Sequence, residues 1–265
     1  MRFFTRDHVE QTGVYNRKVE EDKAGRRGWN LNSFWVYVDP EDHGYAHHAL
    51  TDGYWESWIT LWMSNHVLDG SKVIDIGANH GYYSLYLASL GCEVIAIEPQ
   101  EKLCDLIKTS AKANKFNIDV RQCVVGNRKK KYSLEIPVHH GMNATIQSEN
   151  SYAPFGTETI EVDGISLAEF ADQQIDFIKI DAEGAEDLIW AGGKTFRKKN
   201  PNCVYLMEWR WDRFKEPEKF AAELLDTHIV THVQFDGVEA ALTSVDAFKE
   251  REHEDWMLVL RAKNE

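Results

Sequence analysis

The stretch that decides the fold of this 265-residue chain is Val73-Ile74-Asp75-Ile76-Gly77-Ala78-Asn79-His80-Gly81. An apolar run ends beside an acid, two glycines follow, and an apolar helical pattern begins at Tyr82. This order predicts a buried strand, a tight turn and the start of a helix. Glycine lets the backbone bend sharply and lets a ligand approach it closely. The first N–H groups of a helix suit a carboxylate or a phosphate.

A second acid, Glu98, ends the next apolar run, which covers residues 93–98. A carboxylate at that place can accept two hydrogen bonds from a ribose diol. The glycine spacing is G-x-x-x-G and not the G-x-G-x-x-G of dinucleotide sites, which favours S-adenosylmethionine, a nucleoside joined to an amino acid. A strand, glycine turn and helix alone are common in α/β proteins. The prediction of a nucleoside cofactor therefore depends on the two acids at the strand ends, Asp75 and Glu98.

The charge balance of the chain limits its partners. A formal net charge of −13 argues against a nucleic-acid duplex as the main partner, because phosphate binding needs clustered cations. It argues equally against an anionic membrane surface. No apolar stretch reaches the length of a membrane span. We therefore expect no nucleic acid, no membrane span, and a small molecule or glycan as the acceptor.

The cysteines indicate a reducing compartment. None of the four forms a C-x-x-C pair, and three lie in apolar patterns, so buried thiols are predicted instead of a metal cluster. The first residues contain no apolar run of signal-peptide length. A cytoplasmic location is the resulting expectation.

The chain is predicted to hold one main domain, residues 53–265, with an N-terminal extension, residues 1–52, that packs on it. In the extension, residues 42–48 contain three histidines whose spacing matches no regular metal site, so a polar surface loop is predicted. Residues 53–68 carry tryptophans near helical spacing and predict an amphipathic helix. Glu56, between those apolar positions, either reaches the cofactor or pairs locally.

Strands and helices alternate from residue 73, which predicts a parallel sheet with right-handed connections. The five strands predicted to be parallel cover residues 73–77, 93–98, 118–125, 175–181 and 203–208. An antiparallel pair, residues 229–235 and 256–261, is expected to close a sheet of about seven strands.

The alternation breaks between residues 131–138 and 157–162, where an inserted hairpin with a long loop is predicted. That loop contains His139 and His140. Long loops in compact domains are often functional. His140 is therefore a candidate catalytic residue, and an inert exposed pair is the alternative.

Three blocks of this sequence, residues 73–84, 96–99 and 177–186, resemble the signature blocks of the FkbM-type methyltransferases. The D-x-G-A-N-x-G block is shared by many class I methyltransferases, whereas its combination with I-K-I-D-x-E-G-x-E is specific. The resemblance covers roughly residues 54–210. It implies the class I Rossmann-like fold with strand order 3-2-1-4-5-7-6, S-adenosylmethionine as methyl donor, and O-methylation of sugars or polyketide-like products.

The resemblance also implies roles for residues at matching positions. The residues expected to line the methionine end are Asp75, Gly77, Asn79 and Gly81. Glu98 is expected to bind the ribose hydroxyls, with Pro99 and Gln100 beside it. Cys123 and Val124, taken to end the third strand, would border adenine.

Two further acids, Asp181 and Glu208, end neighbouring strands in that order and face the same crevice as the cofactor. In one hypothesis Asp181, which would also contact the cofactor, is the general base and Glu208 orients the acceptor. In the other, both carboxylates hold Mg²⁺, which would lower the pKa of the hydroxyl. A merely structural role for Glu208 is the third possibility.

The sequence thus predicts an S-adenosylmethionine-dependent O-methyltransferase that acts on a hydroxyl of a sugar, a glycan or a glycosylated metabolite. N-methylation of a small metabolite and a non-catalytic cofactor-binding module are the alternatives. Trp209 and Trp211 follow Glu208 and either stack on a sugar face or pack in the core.

Overall fold

The structure is a computed structural model. It describes residues 2–16, 18–21, 27–31, 34–39, 42, 44–137, 144–146 and 157–263. The predicted site residue His140 and its neighbour His139 lie outside this part of the chain.

The described chain forms strands and helices that are numbered here in chain order. The strands are β1 (Lys18–Glu21), β2 (Arg27–Leu31), β3 (Phe34–Val38), β4 (Lys72–Ile76), β5 (Glu93–Ile97), β6 (Ile118–Arg121), β7 (Val124–Gly126), β8 (Lys130–Pro137), β9 (Thr145–Ile146), β10 (Thr157–Ser166), β11 (Phe177–Ile180), β12 (Val204–Trp209), β13 (His228–Val233), β14 (Glu239–Ala241) and β15 (Trp256–Ala262). The α-helices are α1 (Arg6–Asn16), α2 (Tyr45–Asp52), α3 (Ser57–His66), α4 (Tyr82–Ser89), α5 (Glu101–Asn114), α6 (Glu186–Gly192), α7 (Lys194–Lys199), α8 (Pro217–Thr227) and α9 (Val245–Lys249).

The central sheet has eight strands in the order β14-β13-β15-β12-β11-β4-β5-β6. The five strands from β12 to β6 are parallel, and β15 runs antiparallel to β12 and β13. Counted along the chain from β4, this is the predicted order 3-2-1-4-5-7-6, with β14 as one additional edge strand. The fold prediction is therefore confirmed.

The inner strands of this sheet are apolar because helices cover both of its faces. Ile74 and Ile76 of β4 pack into one core, and Val73 of the same strand packs into the other. Chain order reverses between β4 and its neighbours β5 and β11. The carboxyl ends of these strands therefore open a crevice, which is where ligands bind in open α/β sheets.

The predicted strand 118–125 is in fact two strands in different sheets. After β6 the chain turns, and the Cys123 N–H donates a hydrogen bond to the carbonyl of Arg121 at 3.2 Å. β7 then pairs with β10 in a second sheet of order β7-β10-β8-β9. Alternation holds over β6, but the adjacent polar residues Arg121 and Gln122 interrupt it at the turn, and the strand residues Val124 and Val125 of β7 are both buried. The predicted inserted hairpin is confirmed, since β8 and β10 pair antiparallel.

The N-terminal part packs closely on the rest of the chain. Asn114 of α5 joins it to the edge of β3, since its side chain accepts a hydrogen bond from the Trp35 N–H at 2.7 Å and donates one to the Trp35 carbonyl at 2.6 Å. Phe3 and Phe34 lie in the same apolar core as Tyr86 of α4. This shared core fits an extension that packs on the main domain, while the boundary at residue 52 stays a prediction.

Two expectations for this region were wrong in detail. Residues 44–48 do not form the expected polar surface loop, because α2 begins at Tyr45 and buries that side chain. Asp42 accepts hydrogen bonds from the N–H groups of Gly44 and Tyr45, which fixes the start of the helix. The helix predicted over 53–68 is the shorter α3, and Leu68 is exposed. No helix in the described ranges is both long and apolar enough to cross a membrane.

Candidate active site

A cleft opens at the carboxyl edge of β4, β5, β11 and β12. It gathers most of the residues that the sequence predicted for the cofactor and the reaction. Those that line it are Glu56, Gly77, Asn79, Glu98, Pro99, Gln100, Cys123, Val124, Asp181 and Glu208.

The turn after β4 forms one wall of the cleft, and its backbone needs the residues found there. Gly77 has φ of 75°, and a Cβ at this position would lie 1.8 Å from the carbonyl oxygen of Asp181. Only glycine fits so close an approach. The N–H groups of Gly77 and Ala78 both donate to the carbonyl of Ile97, which ties the turn to β5.

Glu98 is fixed in the cleft wall by two backbone groups. Its Oε2 accepts a hydrogen bond from the Asn79 N–H at 2.9 Å, and its Oε1 accepts one from the Gln100 N–H at 3.0 Å. Burial raises the pKa of this carboxyl to about 7, although the two backbone N–H groups act to lower it. A carboxylate oxygen has two lone pairs, so each oxygen of Glu98 can still accept a hydrogen bond from a hydroxyl group.

Asp75 and Gly81 do not line the cleft but support its wall from behind. Asp75 is fully buried and accepts a hydrogen bond from the Ser84 hydroxyl at 2.6 Å. Gly81 precedes α4 with φ of 84°, and a Cβ there would lie 2.8 Å from the side chain of Ile107. Both residues therefore hold the loop and the helix together.

Lys179 of β11 is a cleft residue that the sequence analysis missed. Its side chain is 2% exposed, and its Nζ lies 2.8 Å from Oδ2 of Asp181 and 3.9 Å from Oδ1 of Asp75. Burial acts to lower the pKa of this amine, but the two carboxylates raise it above its usual value. The ring of Tyr83 also lies 5.0 Å from Nζ. A lysine inside an apolar strand was the available signal, because a buried charge requires partners.

Glu56 both pairs locally and lines the cleft. It lies directly before α3, and its Oε2 accepts a hydrogen bond from the Tyr83 hydroxyl at 2.5 Å. Burial raises the pKa of this carboxyl, and the nearby charge of Asp181 adds to the effect. The local pairing of Glu56 with Tyr83 is thus compatible with a contact between Glu56 and the cofactor.

Arg213 binds three carboxylates at the other side of the cleft. Its guanidinium lies 2.5 Å from Glu208, 3.0 Å from Glu183 and 3.1 Å from Asp255. Burial raises the pKa of Glu208 well above its usual value, and Asp181 and Glu183 raise it further, while Arg213 opposes the shift. Glu208 is therefore a paired acid that also faces the cleft.

Carboxylate oxygens of Asp181, Glu183 and Glu208 lie within 4.8 Å of one another, which is the one arrangement in the described chain that resembles a metal site. An all-oxygen donor set would suit Mg²⁺. Lys179 and Arg213 already contact these three carboxylates. The residues do not fit a metal ion without displacing those cations, so the magnesium hypothesis has no support here.

Backbone strain is concentrated at this cleft. Four non-glycine residues of the described ranges have positive φ, and three of them, Glu56, Asn79 and Glu183, line the cleft. Such conformations cost free energy and tend to occur at functional sites, where the surrounding structure enforces them. The strained residues include two carboxylates that face the crevice.

The cleft also has walls that no local pattern indicated. Tyr45 and Trp55 enter from the N-terminal side, and Leu134 and Ile146 enter from the inserted hairpin. Trp209 and Trp211, by contrast, are buried in the core behind β12. The core-packing alternative for those two tryptophans is the correct one.

The strand order and the cleft at the switch point define a class I methyltransferase fold. A family model described as "Methyltransferase FkbM domain" matches residues 75–263. The match covers more than half of the chain, and the chain therefore belongs to the FkbM methyltransferase family.

Similar solved structures include three methyltransferases. A methyltransferase FkbM from Methylobacillus flagellatus has a TM-score of 0.49 at 15% identity, covering 77% of this chain and 47% of that one. A TehB-like SAM-dependent methyltransferase from Corynebacterium glutamicum has a TM-score of 0.46 at 11% identity, covering 82% and 94%. The tRNA (uracil-54, C5)-methyltransferase of Pyrococcus abyssi, in complex with S-adenosyl-L-homocysteine, has a TM-score of 0.46 at 12% identity, covering 94% and 44%. The chain thus spans under half of the Methylobacillus protein, and no curated protein matched the sequence.

Proposed function

We propose that the chain is an S-adenosylmethionine-dependent O-methyltransferase whose acceptor is a hydroxyl of a sugar, a glycan or a glycosylated metabolite. One observation carries this proposal. Glu98 and Asp181, from two strand ends, face the same cleft, and each carboxylate is held by hydrogen bonds from its own neighbours.

The cofactor would be held by the residues that line the cleft. Glu98 would accept the ribose hydroxyls, and Pro99 and Gln100 would flank them. The turn containing Gly77 and Asn79 would border the methionine end, with Asp75 and Gly81 supporting it. Cys123 and Val124, at the edge of the second sheet, would border adenine.

When bound, S-adenosylmethionine supplies a methyl group on a sulfonium, and its transfer to an oxygen leaves the C–S electron pair on the sulfur of S-adenosylhomocysteine. The chain must align the acceptor hydroxyl and remove its proton. Asp181 would take that proton. Its Oδ2 accepts the hydrogen bond of Lys179, and within the described residues its Oδ1 accepts none, so Oδ1 is available to the acceptor. Glu208, held by Arg213, would orient the hydroxyl.

The proton requirement distinguishes this proposal from N-methylation. A neutral amine is a better nucleophile than a hydroxyl and depends less on a base. Loss of the Asp181 carboxylate should therefore cost an O-methyltransferase more than an N-methyltransferase. A binding module without transfer would produce no S-adenosylhomocysteine at all.

The test measures S-adenosylhomocysteine formed from S-adenosylmethionine with a panel of methyl glycosides as acceptors. We expect Asp181→Asn to reduce turnover by at least about 100-fold, the typical contribution of a general base. The control variant is Asp172→Asn, whose carboxylate is exposed and pairs with Lys199. Both variants should still bind S-adenosylhomocysteine in a calorimetric titration. Full turnover by Asp181→Asn would refute the role of Asp181 as the general base. Failure of the unmodified chain to bind the cofactor would refute the proposed function.

A further inference from the structure

A second, open cavity adjoins the cofactor cleft. Glu56 and Glu208 line both spaces, so these two carboxylates stand at the junction between them. The second cavity is formed by the start of α3, the loop after β13 and the start of β15. The proposed reaction needs an acceptor to reach the methyl group from outside, and this cavity shares two wall residues with the cofactor cleft.

The cavity has aromatic walls. The rings of Trp58 and Phe235 meet edge to face with their centroids 5.0 Å apart, and Phe235 is 57% exposed. On the far side Trp256 packs against His232 with centroids 4.9 Å apart. An exposed aromatic ring beside a cavity offers a flat apolar surface to a ligand. The flat C–H face of a saturated ring, such as a sugar ring, can pack against such a surface.

The lining of the cavity contains more acidic than basic residues. In the described chain its lining carries four acids, Glu56, Glu208, Asp236 and Asp255, and one cation, Arg251. Arg213 neutralises part of the charge of Glu208 and Asp255. Glu254 lies 3.7 Å from Arg251 and neutralises part of the positive charge of that side chain. Asp255 also lies 3.6 Å from Arg210, and burial raises the pKa values of Glu56 and Glu208. Asp236 has no cationic partner among the described residues, so it carries most of the charge that repels anions, and all four acids can accept hydrogen bonds from hydroxyl groups.

We propose that this second cavity is the acceptor site, and that it selects an uncharged, hydroxyl-bearing ring over a carboxylated or phosphorylated one. The inference rests on the proposed function, which it makes more specific. Trp58 and Phe235 pack against the ring. Glu56 and Glu208 accept hydrogen bonds at the junction and direct one hydroxyl into the cleft.

The test measures how methyl β-glucoside and methyl β-glucuronide, which differ by one carboxylate, bind to the full chain. Saturation-transfer NMR titrations are made at low ionic strength, with and without S-adenosylhomocysteine. We expect the glucoside to bind at least about tenfold more tightly than the glucuronide, as one unfavourable charge interaction would produce. Asp236→Asn, which removes one acid and keeps the turn hydrogen bond to the Val238 N–H, should narrow that difference.

Phe235→Ala and Trp58→Ala should weaken glucoside binding about three- to tenfold, the range expected for loss of an aromatic contact. The control variant is Leu68→Ala, which removes an exposed apolar side chain outside both cavities. All three variants should bind S-adenosylhomocysteine normally. No glucoside binding, equal binding of the glucuronide, or unchanged binding by Phe235→Ala would overturn the inference. If the unmodified chain does not bind S-adenosylhomocysteine, the proposed function is refuted instead. The titrations without that ligand would still show whether the cavity prefers the glucoside to the glucuronide.

Discussion

Lys179 and Asp181 lie two residues apart at the end of β11, and their side chains meet on the same side of the chain with Nζ 2.8 Å from Oδ2. The pair connects the core to the cleft, since the lysine is buried and the carboxylate lines the cavity. Asp75, 3.9 Å from the same amine, adds a second buried acid. The orientation of the proposed catalytic base thus depends on a cation inside the sheet.

Substitution Lys179→Met should destabilise the protein strongly. It leaves two carboxylates without their cation, and removal of one partner of a buried ion pair typically costs about 3–5 kcal/mol. The free energy of unfolding from a urea titration is the measurement. Lys131→Met, which breaks the exposed pair with Asp163, is the control and should cost less than about 1 kcal/mol. Equal costs for the two variants would show that the buried pair has no special role.

The affinity for S-adenosylhomocysteine should depend on pH through Glu98. The pKa of this carboxyl is raised to about 7 in the free protein, and the ribose hydroxyls need the ionised form. Binding would therefore release a proton below pH 7, and the dissociation constant should rise about tenfold for each unit by which the pH falls. Above pH 7 it should level off.

The matched variant for this effect is Glu98→Gln, whose amide does not titrate. We expect weaker binding with a flat profile between pH 5 and 8, measured by the same calorimetric titration. A variant that retained the slope of the unmodified chain would show that another group is responsible. The companion acid Glu186, whose pKa burial raises to about 7, is the first candidate, although it lies outside the lining of the cleft.

Local patterns were enough to predict the central sheet. β4, β5, β11 and β12 are rich in apolar residues and each end in or beside an acid, so the sequence showed which carboxylates would meet at one edge. The short edge strand β14, only three residues long, had no such pattern. The predicted strand 118–125 merged β6 and β7, which belong to different sheets, although the adjacent polar residues Arg121 and Gln122 interrupt the alternation between them.

The parts of the site that the sequence did not indicate come from distant segments. Tyr45 reaches the cleft from α2, and Leu134 and Ile146 reach it from the inserted hairpin. Tertiary packing alone decides such contacts, and no local periodicity encodes them. Lys179 is the exception, because its place between apolar residues of β11 was visible.

Chelation should not reduce methyl transfer. Lys179 already pairs with Asp181, and Arg213 pairs with Glu183 and Glu208, so a divalent cation at this cluster would have to displace both side chains. We expect the rate of S-adenosylhomocysteine formation to be the same in excess EDTA and in added Mg²⁺. A loss in EDTA that Mg²⁺ restores would revive the metal hypothesis and would require Arg213 to move away from Glu208.

Glu183 provides a direct measure of the strain at the cleft. Its φ of 51° is in the left-handed region, which costs a residue with a Cβ about 1 kcal/mol or more. Glu183→Gly and Glu183→Ala both remove the carboxyl, whose pKa burial raises to about 8, and both break the contact with Arg213. They differ only in the Cβ, so the glycine variant should be the more stable of the two by about 1 kcal/mol in urea unfolding. Equal stabilities, or a more stable alanine variant, would mean that this backbone is relaxed, and the strain at the cleft would then be confined to Glu56 and Asn79.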